Sequence, residues 1–429
     1  MVILNIYHIT KQIKIKVYYI YQMEKSIIIG DLKYDISNFK HPGGGVIHYF
    51  TDGQDATMTF DELHYRSKKA KQILKTLPHE RVTKNEADQK RFETDTDKEM
   101  LEDFVEFRKS LEMRGYFRPS YLHVYYRLFE IFAIYLLAAV SIKYNIFLSI
   151  VLFGLCSGRT GWLQHEGGHN SLTTNIKIDK EIQSFFIGVF MFGDGSMWNN
   201  MHNKHHATPQ KIGHDVDLDT APLVAFYDSS SENNQMSNVQ KVWLKYQAYT
   251  FLPITSGLLV MPFWSFYLHP KKVFRDKNIK QALYILAGHA LRIFIFLNIM
   301  PTSVFHACLY HFMAIWISGI YLFGHFSLSH TFTPTIDKNE NPNWIRYAIE
   351  HTVDISPNNR LVGWFMGYLN NQVIHHLFPS MPQVYGREVS GELLLFCKKW
   401  DIKYTIISYF QAWHFMLKNL NSVGESMST

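Results

Sequence analysis

Three histidine clusters in this chain have the spacing of metal ligands: His165-Glu-Gly-Gly-His169, His202-Asn-Lys-His205-His206 and Gln372-Val-Ile-His375-His376. On an α-helix, residues three and four apart share a face. His165 and His169 therefore project together, and so do His202, His205 and His206. The third cluster repeats that layout with Gln372 in first place. Neutral imidazole is a good ligand for iron, copper, nickel and zinc. Seven imidazoles are too many for one tetrahedral ion and suit two ions that share them. The catalytic and metal-binding candidates are thus His165, His169, His202, His205, His206, His375 and His376, with Gln372 as a further ligand candidate. His330, which closes GHFSLSH, is placed to complete the shell, and His325 and His351 are weaker candidates. Asp215, Asp217 and Asp219 in HDVDLDT could orient ligand histidines from behind.

A second kind of iron chemistry is suggested near the N-terminus. His41 opens the turn HPGGG, and His64 follows on a predicted helix. Two imidazoles approaching a haem iron from opposite faces make it a one-electron carrier that does not bind oxygen. The glycines let the backbone lie against the haem edge. With DAT at 55–57 and a Tyr34-Asp35 strand ahead of the turn, the stretch resembles a cytochrome b5 domain with His41 and His64 as axial ligands to haem b.

The first cluster also admits a rival. HEGGH matches H-E-x-x-H, in which two histidines bind zinc and the glutamate activates water, as in a membrane zinc metalloprotease. Gly167 and Gly168 weaken the helix that this chemistry needs. The zinc reading also leaves the other two clusters and the haem turn without employment.

The elements that must carry these residues change character along the chain. Residues 1–23 read as an N-terminal extension with neither the apolar core nor the cleavage site of a secretory signal, and Met23 is an alternative start. Residues 24–80 read as a small α+β domain in which IIIGDLKYDISNF forms strand, turn and strand. Residues 81–123 read as a charged linker containing an amphipathic helix with Leu101, Phe104, Val105 and Leu111 on one face. Residues 124–429 are the membrane part. Apolar runs at 128–142, 146–163, 281–299 and 303–324 predict two transmembrane hairpins, hence about four spans. The runs at 183–193 and 250–268 are shorter or broken by Pro253, Gly257 and Pro262, and read as interfacial or re-entrant. His289, His306 and His311 fall inside predicted spans and read as packing or cavity-lining residues. An even number of crossings places both polar loops and both ends on one side. The basic run Lys271, Lys272, Arg275, Lys277 and Lys280 makes that side cytosolic.

Composition sets outer limits. Hydrophobic residues make up 47% and charged residues 19% of 429 residues, which fits a membrane enzyme with long polar loops. The net charge of +6 suits anionic lipid head groups, while the dispersed Lys and Arg argue against nucleic acid. Cys156, Cys308 and Cys397 are odd in number and far apart, so neither a disulfide framework nor a cysteine zinc site follows.

Taken in order, HPGG, H-E-x-x-H, H-x-x-H-H and Q-x-x-H-H resemble the cytochrome b5-fusion front-end fatty acid desaturases from about residue 27 to the end. The surrounding GRTGWLQHEGGHNS, HNKHHATPQ and GYLNNQVIHHLFPSMP fit as well. The resemblance implies a haem domain followed by a mainly α-helical integral membrane domain of about four spans plus interfacial helices, with a di-iron centre. It implies insertion of a cis double bond between an existing one and the carboxyl end of a polyunsaturated acyl-CoA or acyl-phospholipid, using O2 and electrons from NADH-cytochrome b5 reductase. The endoplasmic reticulum is the implied site. HDVDLDTAPLVAF and EHTVDIS look most like delta-5 members, with delta-6 next; an acyl or sphingolipid hydroxylase on the same scaffold is the other alternative. Where the family usually has Glu ahead of the last histidine pair, this chain has Ile374, which removes an expected acceptor behind the third cluster.

Overall fold

The computed structural model describes residues 25–50, 53–83, 87, 94–229, 236–338, 340 and 343–428. The expected N-terminal extension lies outside them. The chain divides into two compact units, Met1–Leu101 and Glu102–Thr429.

In the N-terminal unit, the apolar run Ile27–Ile29, the alternating Leu32-Lys33-Tyr34-Asp35 and a tight turn build a hairpin of β1 (Ser26–Ile29) and β2 (Leu32–Asp35), paired from Ser26↔Asp35 to Ile29↔Leu32. Gly30 takes the positive φ of 62° that the turn requires. β3 (Gln54–Asp55) adds parallel to β1, and β4 (His79–Arg81) adds antiparallel to β2, giving the order β3-β1-β2-β4. The domain boundary expected at residue 80 therefore cuts through β4. The short helices α1 (Thr57–Leu63) and α2 (Lys68–Leu74) stand beside this sheet. Ile27, Tyr34 and Ile36 form its core, with Phe39, Ile47 and Leu74 against them.

The C-terminal unit is helical. Two long helices, α3 (Tyr121–Ser141) and α4 (Ile146–Gly168), begin at caps the sequence supplies: Ser120 accepts from His123 N and Asn145 from Leu148 N. Then come α5 (Ile176–Met191), α6 (Gly195–Ala207), α7 (Gln247–Arg275), α8 (Ile279–Ile299) and α9 (Val304–Phe326). α4 and α9 lie close because Gly154, Gly158 and Gly161 share one face. A Cβ on these would collide with Ile317, Tyr321 and Leu322 of α9.

Among the described residues, five helices are long and apolar enough to cross a membrane: α3, α4, α7, α8 and a stretch from Val304 to Ser329 that includes α9. The expectation of a shorter, interrupted stretch at 250–268 is corrected at α7. Pro253, Gly257 and Pro262 do not interrupt it; it runs unbroken for 29 residues. It does so by widening to π-helical turns over Phe251–Val260 and Trp264–Leu268, which absorb the prolines' missing N–H groups without ending the helix. In an apolar setting an open backbone would cost several kcal/mol per unpaired group, so local re-pairing is favoured over a break.

Candidate metal centre

The first histidine cluster, box one, occupies the last turn of α4 and the second, box two, the body of α6, where Asp194 caps the first turn by accepting from Met197 N at 2.7 Å; Gln372–His376 is box three. Gly167 and Gly168, read from sequence as helix weakeners, remain helical and serve close packing. A Cβ at Gly167 would sit 2.9 Å from Asp179 O, and one at Gly168 would collide with Trp198 of α6.

Box three forms a helix of only six residues, α10 (Gln372–Leu377), too short to persist alone. Its own N-cap, Asn371, makes no side-chain cap bond. The cap comes instead from Asp354, on a strand (Val353–Ile355) that pairs with Thr405–Ile407. Asp354 Oδ1 accepts from Val373 N at 2.8 Å, and Tyr404 donates to its other oxygen. Burial pushes the Asp354 carboxyl up to about 7 despite these bonds. Nothing in the spacing of the boxes marks Asp354 or Tyr404; only the fold brings them there. Ile374 is buried at 1% exposure, and the polar partners of box three come from Asp354 and Gln372 rather than from position 374.

All eight expected histidines converge. One nitrogen from each of His165, His169, His202, His206 and His375 lies within 4.8 Å of the others, and His205, His330 and His376 form a second such group. The rings of His206 and His376 stack between the groups at 4.4 Å. Within each group nitrogens face each other: His202 Nε2 and His206 Nε2 stand 3.0 Å apart, His330 Nε2 and His376 Nε2 3.1 Å. Donors next to one another on an octahedral ion with bonds of about 2.1 Å are about 3.0 Å apart. Gln372 joins the second group, 3.2 Å from His330 Nε2 and 3.3 Å from His376 Nε2. The Nε2 atoms of His165, His169 and His205 and both nitrogens of His375 are buried without a hydrogen-bond partner. Orphaned imidazole nitrogens cost free energy unless something binds them, so the residues fit two metal ions.

The electrostatics agree. Burial holds His169, His202, His206, His330 and His376 well below the ordinary imidazole pKa, and burial with the nearby His205 pushes His375 down to about 3. At neutral pH these rings are uncharged and keep a lone pair for a metal. His205 differs. Burial opposes its charge, but Asp215 at 2.9 Å from Nδ1 raises it to about 9. Asp215 itself would be raised by burial, yet His205 and the amides of Gln210 and Asp217 hold it below the usual range. The expected orienting role thus falls to Asp215, with Asp217 at 3.8 Å. Asp219 instead accepts from Tyr227. His325 and His351 are not brought in: His325 is engaged by Tyr321 O and Tyr409, and His351 by Pro334 O. His289 and His311 bond each other at 2.8 Å, beside Phe192.

Glu166 decides the zinc-protease rival. Its carboxylate faces away from the histidines and accepts from His123 Nε2 at 2.9 and 3.1 Å, with Arg127 Nε 3.4 Å away. Arg127 also meets Glu130, which accepts from Arg159 at 2.9–3.0 Å and from Trp364. Two glutamates and two arginines thus balance in a buried network that ties α3, α4 and the short helix Arg360–Phe365 before box three. Glu166→Ala should cost about 3–5 kcal/mol by leaving the network with one uncompensated buried positive charge, read as a lower unfolding midpoint in detergent, while metal per folded chain stays unchanged. Loss of metal or of catalysis without loss of stability would contradict this.

A cavity of about 770 Å³ opens from His165, His202, His205 and His330 between α7 and α9. Phe251, Leu258, Leu259, Phe263, Leu322 and Phe323 make it apolar. That size fits one long flexible ligand.

In the N-terminal unit, a separate cavity of about 240 Å³ is lined by His41 and His64, whose ring centres stand 6.0 Å apart. Each Nδ1 lies 3.1 Å from a backbone carbonyl oxygen, of Gly44 and Phe60, which leaves the Nε2 atoms for a shared partner. Two bonds of about 2.0 Å plus two ring radii of about 1.1 Å give about 6 Å, so the pair fits one iron between them. A Cβ at Gly43 would sit 2.6 Å from the His41 ring.

Long apolar helices, a double histidine group and an apolar cavity reaching it define an integral membrane metalloenzyme for an apolar substrate. The comparisons narrow this. The fatty acid desaturase family model matches residues 144–408. The chain is 39% identical over 406 residues to an acyl-lipid (8-3)-desaturase of Rebecca salina, covering 94% of this chain and 92% of that one. It is 37% identical over 410 residues to a protein of the same name from Thraustochytrium sp, covering 94% and 93%. A delta(6)-fatty-acid desaturase of Caenorhabditis elegans, fat-3, is 26% identical over 415 residues, covering 90% and 92%. The chain belongs to the fatty acid desaturase family and is an oxidoreductase of that kind. The zinc-protease alternative is set aside.

Proposed function

We propose that this protein is a front-end desaturase that places a cis double bond at the delta-5 position of a polyunsaturated acyl chain, with delta-6 the second reading. The observation that carries the chemistry is the convergence of eight imidazoles at the inner end of an apolar cavity. His165, His169, His202, His206 and His375 would hold one iron, and His205, His330 and His376, with Gln372, the other. Iron in that setting supplies oxygen activation for the removal of two hydrogens from adjacent methylenes. The chain's own part is to hold the acyl chain beside the imidazoles, exclude water with the Phe and Leu lining, and keep His205 oriented through Asp215. His41 and His64 would hold haem b, whose contribution is single-electron supply from NADH through a reductase.

Delta-5 rests on HDVDLDTAPLVAF and EHTVDIS. Asp215, Asp217, Leu218, Thr220 and Val224 of the first stretch line the cavity, so it is positioned to influence register. Among the described residues the lining contains no Lys or Arg to grip the phosphates of a coenzyme A head. Together with the names of two relatives above 35% identity, this favours an acyl-lipid over an acyl-CoA. Connectivity favours four crossings. α7 follows box two and hands over to α8, which starts at the same end as His330 because α8 and α9 form an antiparallel hairpin. Both ends of α7 are therefore on the histidine side, which we place in the cytosol at the endoplasmic reticulum.

Expression in yeast fed defined polyunsaturated acids tests the reading. The expected result is a new double bond at carbon 5, located by mass spectrometry and found first in phospholipids. A bond at carbon 6 selects the second reading, and a hydroxylated product refutes both.

A further inference from the structure

A histidine that binds metal gives one nitrogen to the ion, and the partner of the other nitrogen sets its tautomer and orientation. Asp215 does this for His205. His165 has no carboxylate at Nδ1. The side-chain amide nitrogen Nε2 of Gln383, 218 residues further along the chain, lies 2.6 Å from that atom, while Gln383 Oε1 is buried without a hydrogen-bond partner, so turning the amide over costs no bond and brings Oε1 to Nδ1. His165 Nε2 has no hydrogen-bond partner, and the residue belongs to the five-histidine group. If Nε2 binds metal, the proton sits on Nδ1, and its neighbour must accept. Of the two amide termini, which exchange on a half-turn, only the oxygen can do so.

The turn that carries this amide is closely packed. Gln383 is buried at 5% exposure and opens a tight turn, Gln383–Tyr385. Tyr385 meets Tyr116 edge-on at 5.5 Å. On the other flank, Gly386 approaches Asn371 so closely that a Cβ would sit 2.9 Å from Asn371 Cβ. The turn thus braces the entry to box three and reaches across to box one.

We propose that Gln383 is a positioning residue for the metal centre: its Oε1 accepts from His165 Nδ1–H and so aims Nε2 at the ion. This rests on the two-metal reading above. The test is titration of the full-length, metal-stripped protein in detergent with Co(II), followed by visible d–d absorption. Gln383→Leu, which removes the acceptor, is expected to weaken one of the two Co(II) sites about 10–100-fold. Gln383→Glu, which can accept, is expected to bind at least as tightly as wild type. Wild-type affinity in Gln383→Leu, or equal weakening in both variants, would overturn the proposal, the second by showing that shape or the amide N–H matters instead. If Gln383→Leu does not fold, Gln383→Met serves with the same expected weakening. A wild-type protein that takes up fewer than two Co(II) ions would refute the two-metal reading itself, before any variant is compared.

Discussion

Replacing His375 with alanine is expected to abolish desaturation, by at least about 1000-fold or about 4 kcal/mol of barrier. The reason is geometric. His375 is buried, has no hydrogen-bond partner at either nitrogen, and its ring stands 4.6 Å from those of His165 and His206 and 4.8 Å from that of His169. No side-chain hydrogen bond holds it there, and we propose that its role is to ligate an ion shared with those rings. Iron content should fall from about two to about one per chain, measured by mass spectrometry on purified protein. His351, bonded to Pro334 O at 2.6 Å, is the control, since its alanine variant should keep both irons. Equal iron in His375→Ala and wild type would exclude His375 as a ligand.

The second large effect concerns the N-terminal unit. His41→Ala should eliminate the Soret band of the reconstituted protein and lower NADH-driven desaturation by about 100-fold or more. The expectation rests on the 6.0 Å ring separation and on the two carbonyls that occupy both Nδ1 atoms. Burial also lowers both imidazole pKa values, which keeps the rings neutral and ready to ligate. Turnover with an artificial electron donor should survive, because the eight histidines belong to the other unit. Full NADH-driven activity in His41→Ala would refute the electron route, and loss with both donors would point to a folding role for His41.

Much of the centre was legible in one dimension because its information is local. Spacings of three and four residues put His202, His205 and His206 on one helical face whatever surrounds that helix. The HPGG turn and the strand–turn–strand before it are likewise short-range. Even His330, a lone histidine at the end of an apolar run, was reachable because a span's end is where a membrane protein meets polar chemistry.

What lay beyond the sequence was set by contacts between distant segments. Which histidines share an ion depends on how α4, α6 and α10 cross, and His205 sits with His330 and His376 rather than with His202 and His206 beside it in sequence. Glu166 is the metalloprotease base by motif, but the packing of α3 against α4 turns it toward His123 and Arg127, where pairing offsets its burial. Asp354 caps the third box from 19 residues away. α7 looked too broken to be one helix, because proline and glycine penalties are local quantities. The tertiary setting reversed them: backbone groups packed among apolar helices must find partners within the chain, and π-helical turns supply those partners.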